Sequence, residues 1–338
     1  MRAAIFDAEA RKVRIEDRPI PAPGPDDLLV KVCRCGICGS DVSMTSDGPF
    51  AFGTGPFGHE YSGEVVETGS RVKAFKVGTQ IAVLPVVPCE ACDYCRWNNP
   101  LLCKNRRSAT QGFGEFAIVP AKVATTLPQS LSVADGALVE PIACGLHAMR
   151  LSGARQGKRI LVLGGGAIAL SAVYWARRLR AERVVALSRS EHRVDMLMSM
   201  GADAVLNFGD DQERVVEALG GPPDIVAECV GKSGMVNLAL DHIRPRGTIV
   251  SMGMCMQAEP ILPVRANYKE ARLLFPIGYT SEEFAETARA FDADRLQPER
   301  MVSDVISLEQ LPARLDAIRA GQGGGKIQVD PHRSAQIV

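Results

Sequence analysis

The stretch RILVLGGGAIAL, Arg159–Leu170, decides the fold of this chain. The apolar run before the glycines predicts a strand, and the small apolar residues after them predict a helix. Gly164, Gly166 and Ala169 match the pattern G-x-G-x-x-G/A, in which the first glycine permits a tight turn and the second lets backbone amides approach a pyrophosphate. The third, small residue lets the helix pack closely on the sheet. The residues predicted to contact a dinucleotide are Gly164, Gly166, Ala167 and Ile168.

The next strand indicates which dinucleotide binds. An NAD site favours a carboxylate about 20 residues after the glycine pattern, where it bonds the ribose hydroxyls. In VVALSRSEHR this place holds Ser188 and Arg189, with Arg193 one turn further. A hydroxyl and a guanidinium bind a 2′-phosphate that a carboxylate would repel, so the sequence predicts NADP. The alternative is that Arg189 is a solvated surface residue and Glu191 serves the ribose of NAD.

The patterns on either side of this stretch differ. Residues 1 to about 140 are rich in Pro and Gly, with short alternating runs such as DLLVKVC and YSGEVVETG, which predict an all-β region. From about Arg159, six strand candidates alternate with helix candidates such as SEHRVDMLMSM and DQERVVEAL. This alternation predicts an α/β fold with a parallel, doubly wound sheet. The tail offers two helices and one strand, which we expect to return to the first domain.

Composition narrows the function. The chain has 338 residues, of which 46% are hydrophobic and 23% charged, and its formal net charge is zero. We therefore expect two domains and a small-molecule partner, with no nucleic acid and no membrane. The charged N-terminus lacks the apolar core of a signal peptide, so a cytoplasmic location is expected. In that reducing compartment, ten cysteines indicate thiolate ligands before disulfides.

Four of the cysteines form a compact motif. Cys89, Cys92, Cys95 and Cys103 follow the spacing C-x2-C-x2-C-x7-C, which suits tetrahedral zinc. Four thiolates close the coordination sphere, so this zinc is expected to stabilise the fold and to take no part in catalysis. An iron–sulfur cluster is the alternative, although the spacing matches neither common ferredoxin pattern.

Ligands for an open metal site must lie elsewhere. CGICGSD contains Cys38 in a glycine-rich turn, and GHEY contains His59 followed by Glu60. Taken singly, a cysteine is usually a small core residue and a histidine a satisfied polar group. Their combination with the motifs above changes that interpretation.

The order CGICGSD, GHEYSGEVVETGS, the four-cysteine motif, LVEPIACGLHA and LVLGGGAIA resembles the zinc-dependent medium-chain alcohol dehydrogenases over nearly the whole chain. The resemblance implies a GroES-like β-barrel catalytic domain formed by residues 1–142 and 279–338. It implies a Rossmann dinucleotide-binding domain over residues 143–278, with the active site in the cleft between the two.

The resemblance also implies roles for site residues. Cys38 and His59 look like ligands of a catalytic zinc, and Glu140 matches a position that is cysteine in liver-type enzymes and a carboxylate in the polyol, threonine and secondary-alcohol branches. Glu60 resembles the residue that replaces bound water or an acidic ligand as coordination changes. Whether Glu60 or Glu140 coordinates zinc at rest is left open.

Three residues near Cys38 bear on proton transfer. Ser40 resembles the hydroxyl that relays the alcohol proton, and Asp41 resembles the acid that orients the ligating histidine. The sequence departs from the family where many relatives end the relay in a histidine, because Ser43 stands there. The proton would then leave through water or through Ser43.

These observations predict a two-zinc oxidoreductase that transfers hydride between a secondary alcohol or polyol and NADP, and that forms a homodimer or homotetramer. One alternative is an NAD-dependent polyol or amino-alcohol dehydrogenase. Another is a non-enzymatic zinc-ribbon interaction protein. The residues considered for the apolar wall of a substrate pocket are Met44, Phe50, Phe52 and Tyr279.

Overall fold

The computed structural model describes residues 1–46, 53–293, 298–323 and 325–334. The strands are β1 (Arg2–Asp7), β2 (Lys12–Asp17), β3 (Asp27–Gly36), β4 (Gly55–Pro56), β5 (Glu60–Thr68), β6 (Gln80–Val83), β7 (Val86–Val87), β8 (Arg107–Ser108), β9 (Phe116–Pro120), β10 (Ala124–Thr126), β11 (Arg159–Leu163), β12 (Arg183–Leu187), β13 (Ala204–Leu206), β14 (Ile225–Glu228), β15 (Thr248–Ser251), β16 (Arg272–Leu274), β17 (Val302–Ser307) and β18 (Lys326–Asp330). The helices are α1 (Gly39–Met44), α2 (Asp93–Arg96), α3 (Val139–Ser152), α4 (Ala167–Arg178), α5 (Val194–Ser199), α6 (Gln212–Leu219), α7 (Met235–His242), α8 (Pro263–Asn267), α9 (Ser281–Ala293) and α10 (Leu311–Arg319).

The described residues fall into two compact units. The first comprises those of Met1–Glu140, Thr280–Ala293 and Val302–Val338, and the second those of Pro141–Tyr279 and Asp294–Met301. The predicted domain boundaries at residues 142 and 279 stay a prediction.

The first unit is built on a seven-stranded sheet, in the order β10-β6-β5-β3-β18-β17, with β9 also paired to β3. The long strand β3 runs antiparallel to β5, β9 and β18, so it joins the N-terminal region to the C-terminal tail. Its alternating residues Leu28, Val30 and Val32 are fully buried, which is the period expected of a strand with one face on the core.

The tail differs from its prediction of two helices and one strand. It contains a second strand, β17, which lies parallel to β18 at the edge of this sheet. The segment VSDVIS carries only a short, polar alternation, and its strand state comes from its pairing with β18. The prediction was wrong in missing this strand.

The second unit contains the parallel sheet that the sequence predicts. Its order is β13-β12-β11-β14-β15-β16, and every neighbouring pair is parallel. The order reverses beside β11, where open α/β sheets bind dinucleotides. Leu161, Val185, Val226 and Ile249 are fully or almost fully buried within one core cluster, as strands covered on both faces require. The predicted fold class is confirmed.

Helix ends in this unit follow local chemistry. Asp211 caps α6 by accepting the Arg214 N–H, and Gly220 ends it at φ 70, a left-handed conformation that glycine adopts without strain. The predicted helix SEHRVDMLMSM begins instead with a 3-10 turn, Glu191–Arg193, before α5. None of the helices within the described residues is both long and apolar enough to cross a membrane.

Candidate active site

Three side chains of the types that bind metals converge where β3 ends and β5 begins. Gly36 on β3 pairs with Glu60 on β5, so the turn after β3 lies beside the start of β5. Cys38, in that turn, precedes α1, and His59 immediately precedes β5. One ligand atom from each of Cys38, His59 and Glu60 lies within 4.8 Å of the other two. Neighbouring strands therefore bring together residues that the sequence separates.

Asp41 orients two of these residues. Its Oδ1 lies 3.1 Å from His59 Nδ1, and its Oδ2 accepts the Cys38 N–H at 2.9 Å. A carboxylate can only accept, so Nδ1 of His59 is the protonated nitrogen and Nε2 is directed to the cluster. Burial works to lower the pKa of His59, but the charge and hydrogen bond of Asp41 raise that pKa well above its usual range. Asp41 itself is completely buried.

Two serines lie on α1, and only one of them contacts the cluster. Ser40 Oγ is 3.3 Å from His59 Nε2, whereas the exposed Ser43 donates its hydroxyl to the Gly39 carbonyl at 3.0 Å. Ser40 therefore lies beside the nitrogen that faces the cluster. Ser43 is bonded back to its own helix.

The Glu60 carboxylate occupies a space that glycine leaves open. A Cβ added to Gly36 would lie 2.1 Å from Glu60 Oε2, so no larger residue fits there without displacing the carboxylate. Lys326, on β18, donates to Glu60 Oε1 at 2.7 Å and to Oε2 at 2.6 Å. Its third contact is the Ile37 carbonyl at 3.1 Å. The Lys326 and Glu60 side chains are 3% and 1% exposed, so this ion pair is buried.

Glu140 lies outside the group of three. Among the described residues, the cluster within 4.8 Å contains Cys38, His59 and Glu60 but not Glu140. Glu140 stands in the first turn of α3, and its charge acts on Lys326. Burial works to lower the pKa of Lys326, but the charges of Glu60, Cys38 and Glu140 keep that pKa above its ordinary value. With a limit of 4.8 Å between ligand atoms, Glu140 is not part of the cluster.

The donor set fits zinc. One thiol, one imidazole nitrogen directed by a carboxylate, and one carboxylate oxygen are ligand types that zinc accepts together. The hydrogen bond from His59 to Asp41 is the kind of outer contact that accompanies a ligating histidine. Cys38, His59 and Glu60 are thus able to hold a metal ion.

The four-cysteine motif forms a second cluster. The ligand atoms of Cys89, Cys92, Cys95 and Cys103 all lie within 4.8 Å of one another. Sγ of Cys95 is 3.9 Å from that of Cys89 and 3.6 Å from that of Cys92. Sulfurs arranged tetrahedrally at about 2.3 Å from one zinc are about 3.8 Å apart, whereas a disulfide requires about 2 Å. The cluster therefore has the dimensions of a tetrathiolate zinc site.

Backbone amides support ionised thiols in this cluster. The N–H groups of Lys104 and Cys95 lower the pKa of Cys92 to about 6, and those of Ala91 and Cys92 lower the pKa of Cys89. Desolvation and the neighbouring thiols raise the pKa of Cys95 to about 11. Because their pKa values differ, the thiols are protonated to different extents in the protein alone. A bound dication would displace the protons that remain.

The glycine turn has the geometry of a phosphate site. Gly164 follows β11 at φ +125, in the positive range that favours glycine. Gly166 precedes α4, and no side chain within the described residues caps this helix. The first-turn N–H groups, including those of Ala167 and Ile168, are thus oriented to bind an anion at the helix N-terminus.

Ser188 and Arg193 lie against the turn. A Cβ added to Gly165 would lie 2.8 Å from Ser188 Oγ and 3.0 Å from Arg193 Cδ. Ser188 Oγ also accepts the Ser190 N–H at 3.2 Å. The structure thus brings Ser188 and Arg193 together beside the predicted phosphate turn. 

The side chain of the exposed Arg189 makes a different contact. Its guanidinium lies 5.8 Å from the centre of the Phe208 ring, in a cation–π contact. Glu191, which the NAD alternative requires, is exposed in the 3-10 turn before α5.

Comparisons with known proteins decide the family. Residues 24–129 match the alcohol dehydrogenase GroES-like domain, and residues 167–293 match the zinc-binding dehydrogenase family. A zinc-binding dehydrogenase of Sinorhizobium meliloti 1021, solved bound to NADP, is 32% identical, with a TM-score of 0.86 over 98% of this chain and 99% of that chain. The chain belongs to the zinc-dependent medium-chain dehydrogenases/reductases.

Two relatives of this dehydrogenase have names that refer to a sugar and a polyol. D-xylulose reductase A of Aspergillus niger is 28% identical over 334 residues, covering 92% of each protein. Sorbitol dehydrogenase of Gallus gallus is 28% identical over 338 residues, covering 95% of this chain and 94% of the relative. The dehydrogenase is therefore an oxidoreductase, and the family indicated by its motifs is confirmed.

Two buried charges of the dehydrogenase were not predicted. Lys326 lies in the tail, where the sequence predicts one strand, and Glu228 lies in one of the six strand candidates, but neither residue was predicted to belong to a site. Glu228 is 1% exposed and accepts the N–H groups of Val230 at 2.6 Å and Gly231 at 2.9 Å. It thereby holds the loop that packs on Gly164, since a Cβ there would lie 3.3 Å from Val230. For Glu228, the available signal was a charged residue inside the otherwise apolar run IVAECV, whereas Lys326 begins the mixed strand KIQVD, which gives no such signal.

The proposed pocket walls are only partly described. Met44 is half-buried on α1, and Tyr279 is 4% exposed. Phe50 and Phe52 lie outside the described residues. These four residues stay a prediction.

Proposed function

We propose that the dehydrogenase transfers hydride between a secondary alcohol or polyol, or the corresponding ketone, and NADP. The observation that carries this proposal is the convergence of Cys38, His59 and Glu60 within 4.8 Å, with Ser40 beside the same imidazole nitrogen. The substrate class is supported by the names of the xylulose and sorbitol relatives.

Cys38 and His59 hold the catalytic zinc in this proposal, with Glu60 and Glu140 as carboxylates that take part in its coordination. Bound zinc supplies the Lewis acidity that lowers the pKa of an alcohol hydroxyl. Asp41 keeps the proton of His59 on Nδ1, which leaves Nε2 for the metal. Cys89, Cys92, Cys95 and Cys103 hold a second, structural zinc, giving two per chain.

Oxidation removes a proton from the hydroxyl and a hydride from the carbon that carries it. NADP⁺, held at the glycine turn, would supply the acceptor for the hydride and its two electrons. Ser40 takes up the proton, because a hydroxyl accepts and donates at once. From Ser40 the proton leaves to water, since Ser43 bonds its own helix at Gly39.

The preference for NADP is supported by charge near the glycine turn. Ser188 and Arg193 lie beside Gly165, and Arg189, the residue after Ser188, contributes a further guanidinium that stacks on Phe208. Two guanidinium groups and a hydroxyl suit a 2′-phosphate through charge-assisted hydrogen bonds. In the NAD alternative, Glu191 would bind the ribose instead.

A homodimer or homotetramer is also proposed. Apolar side chains flank β16 at the edge of the parallel sheet, where Tyr268 is 86% exposed and Phe275 68% exposed. Exposed apolar groups of this size favour contact with another protein surface. Light scattering coupled to gel filtration would test this, and a monomer at micromolar concentration would contradict it.

The central experiment assays the purified chain with NADP⁺ and NAD⁺ against xylitol, sorbitol, 2,3-butanediol and 2-propanol. We expect higher kcat/KM with NADP⁺, activity lost on chelation and recovered with zinc, and two zinc ions per chain. A single zinc held by the four cysteines, with no turnover of any alcohol, would favour the zinc-ribbon alternative. Equal or better rates with NAD⁺ would overturn the cofactor assignment.

A further inference from the structure

Lys326 has a buried position that the proposed reaction does not use. It lies on β18, 266 residues from Glu60 in the chain, yet its ammonium group bonds both oxygens of that carboxylate. Its remaining contact is the carbonyl of Ile37, the residue before Cys38. Three N–H donors meet three acceptors, so the ammonium group is fully satisfied and fixed in place.

The sheet register accounts for this position. Gln328 on β18 pairs with Gly36 on β3, and the Ile37 N–H donates to the Ile327 carbonyl at 2.8 Å. Lys326, two residues before Gln328, therefore lies next to the turn that carries Cys38. The ammonium group approaches Glu60 from the side of β18.

The Glu60 carboxylate can serve two cations. One of its oxygens lies within 4.8 Å of the ligand atoms of Cys38 and His59, so the metal centre and Lys326 approach the same group. Glu60 is 1% exposed, so bulk solvent does not stabilise its charge. The space above Gly36 holds the carboxylate against Lys326 and within 4.8 Å of the ligand atoms of Cys38 and His59. A carboxylate engaged by ammonium through both oxygens has less electron density to offer a metal.

We propose that Lys326 is a positioning residue that competes with the catalytic zinc for Glu60, and so keeps a coordination position available to the substrate oxygen. This inference rests on the proposed function, because it requires a metal at Cys38 and His59. Without Lys326, Glu60 is a buried carboxylate beside a dication, and binding the metal is then its most favourable state. Metal retention and turnover should consequently change in opposite directions.

The test replaces Lys326 by Met and by Gln in the full-length protein, with the exposed Lys73→Met as the matched control. Zinc release to a chelator is followed by mass spectrometry, and the cobalt-substituted enzymes are compared by visible absorption. For Lys326→Met we expect about 10-fold slower zinc release from the catalytic centre, the change that loss of one competing charged hydrogen bond would produce, together with a changed cobalt spectrum and a lower kcat. Lys326→Gln keeps one hydrogen bond to Glu60 and should shift both readouts in the same direction by less. Lys73→Met should behave as the parent.

The double variant Glu60→Gln/Lys326→Met separates ligation from simple charge repulsion. Its cobalt spectrum should return to that of the parent, because the competing carboxylate is gone. Faster zinc release in Lys326→Met and Lys326→Gln, or unchanged cobalt spectra in both, would overturn the proposal and leave Lys326 a charge partner that stabilises the fold. If Lys326→Met does not fold, the same two readouts on Lys326→Gln decide between these results.

Different results would contradict the proposed function and the role of Lys326. A parent protein that holds only one zinc and oxidises no alcohol contradicts the proposed function, and this inference falls with it. A parent protein with two zinc ions and alcohol dehydrogenase activity, whose Lys326 variants keep the parental release rate and spectrum, contradicts the role of Lys326 alone.

Discussion

Oδ1 of Asp41 lies 3.1 Å from Nδ1 of His59, although the two residues are 18 positions apart in the chain. The other oxygen of the same carboxylate accepts the N–H of Cys38. One fully buried acid thus positions both a thiol and an imidazole. This arrangement makes Asp41 the first residue to change when the metal centre is tested.

For Asp41→Asn we expect a loss of the catalytic zinc with little loss of the structural one. The neutral amide no longer enforces protonation of Nδ1, so Nε2 of His59 is less available. Removing such an outer contact lowers metal affinity by about 10- to 100-fold. Zinc per chain after dialysis against a chelator measures this, with the exposed Asp17→Asn as control. Full retention of two zinc ions would contradict the role of Asp41.

For Ser40→Ala we expect a fall in kcat of about 100-fold, the lower end of the contribution of a positioned proton acceptor. Zinc content should stay the same, because Ser40 is not one of the three proposed zinc ligands Cys38, His59 and Glu60. Ser43→Ala, one turn away on the same helix, is the matched control. Equal losses in the two variants would place Ser43 in the proton path as well. An unchanged kcat in Ser40→Ala would remove Ser40 from the reaction.

For Arg193→Gln we expect the KM for NADP to rise while the KM for NAD changes little. Hydrogen bonds to a charged group contribute about 2 kcal/mol, which corresponds to roughly 30-fold in affinity. Arg189→Gln should act in the same direction. Arg155→Gln is the control, because the exposed Arg155 precedes β11, at the opposite end of that strand from the glycine turn. Equal changes for both cofactors would contradict recognition of the 2′-phosphate.

For Cys103→Ser we expect loss of one zinc and faster proteolysis within residues 88–105. Cys103 is completely buried and accepts the Cys89 N–H at 3.3 Å, so the lobe loses both a ligand and a backbone contact. Structural zinc contributes on the order of 10 kcal/mol to the folding of a small lobe. The second zinc should remain at Cys38. Cys255→Ser, in the other unit, is the control and should keep both ions.

For Asp224→Asn we expect the free energy of unfolding at pH 7 to fall by about 2 kcal/mol. Asp224 accepts the Arg159 N–H at 3.0 Å and the Arg244 guanidinium at 2.8 Å. Burial works to raise the pKa of Asp224, but these bonds and the charge of Lys158 lower that pKa overall.

The pH dependence follows from that direction. A carboxyl with a lowered pKa in the folded state stabilises the fold above its unfolded pKa of about 3.9, and this contribution is lost as the pH falls through the folded value. Urea unfolding at pH 7 and pH 3 should therefore show a difference between parent and variant that narrows in acid. The exposed Asp195→Asn should match the parent at both pH values, and a difference that widens in acid would contradict this account.

Local motifs were predictable because short segments carry their own geometry. Gly164 needs a positive φ directly after a strand, and the four cysteines lie within one short loop, so the necessary contacts span few residues. The parallel sheet was predictable for a similar reason, since apolar strands and amphipathic helices alternate at regular intervals. The strand β17 was missed because its pairing with β18, and not its own alternation, makes it a strand.

The sequence by itself determined the fold class, the family and the residue types available for metal and cofactor. Tertiary structure alone decided which of them meet. The approach of Lys326 to Glu60 depends on the register of β18 against β3, and the approach of Asp41 to His59 depends on where β3 ends beside β5. Contacts of this kind arise from pairing between distant strands, where a shift of one residue would direct each side chain to the opposite face.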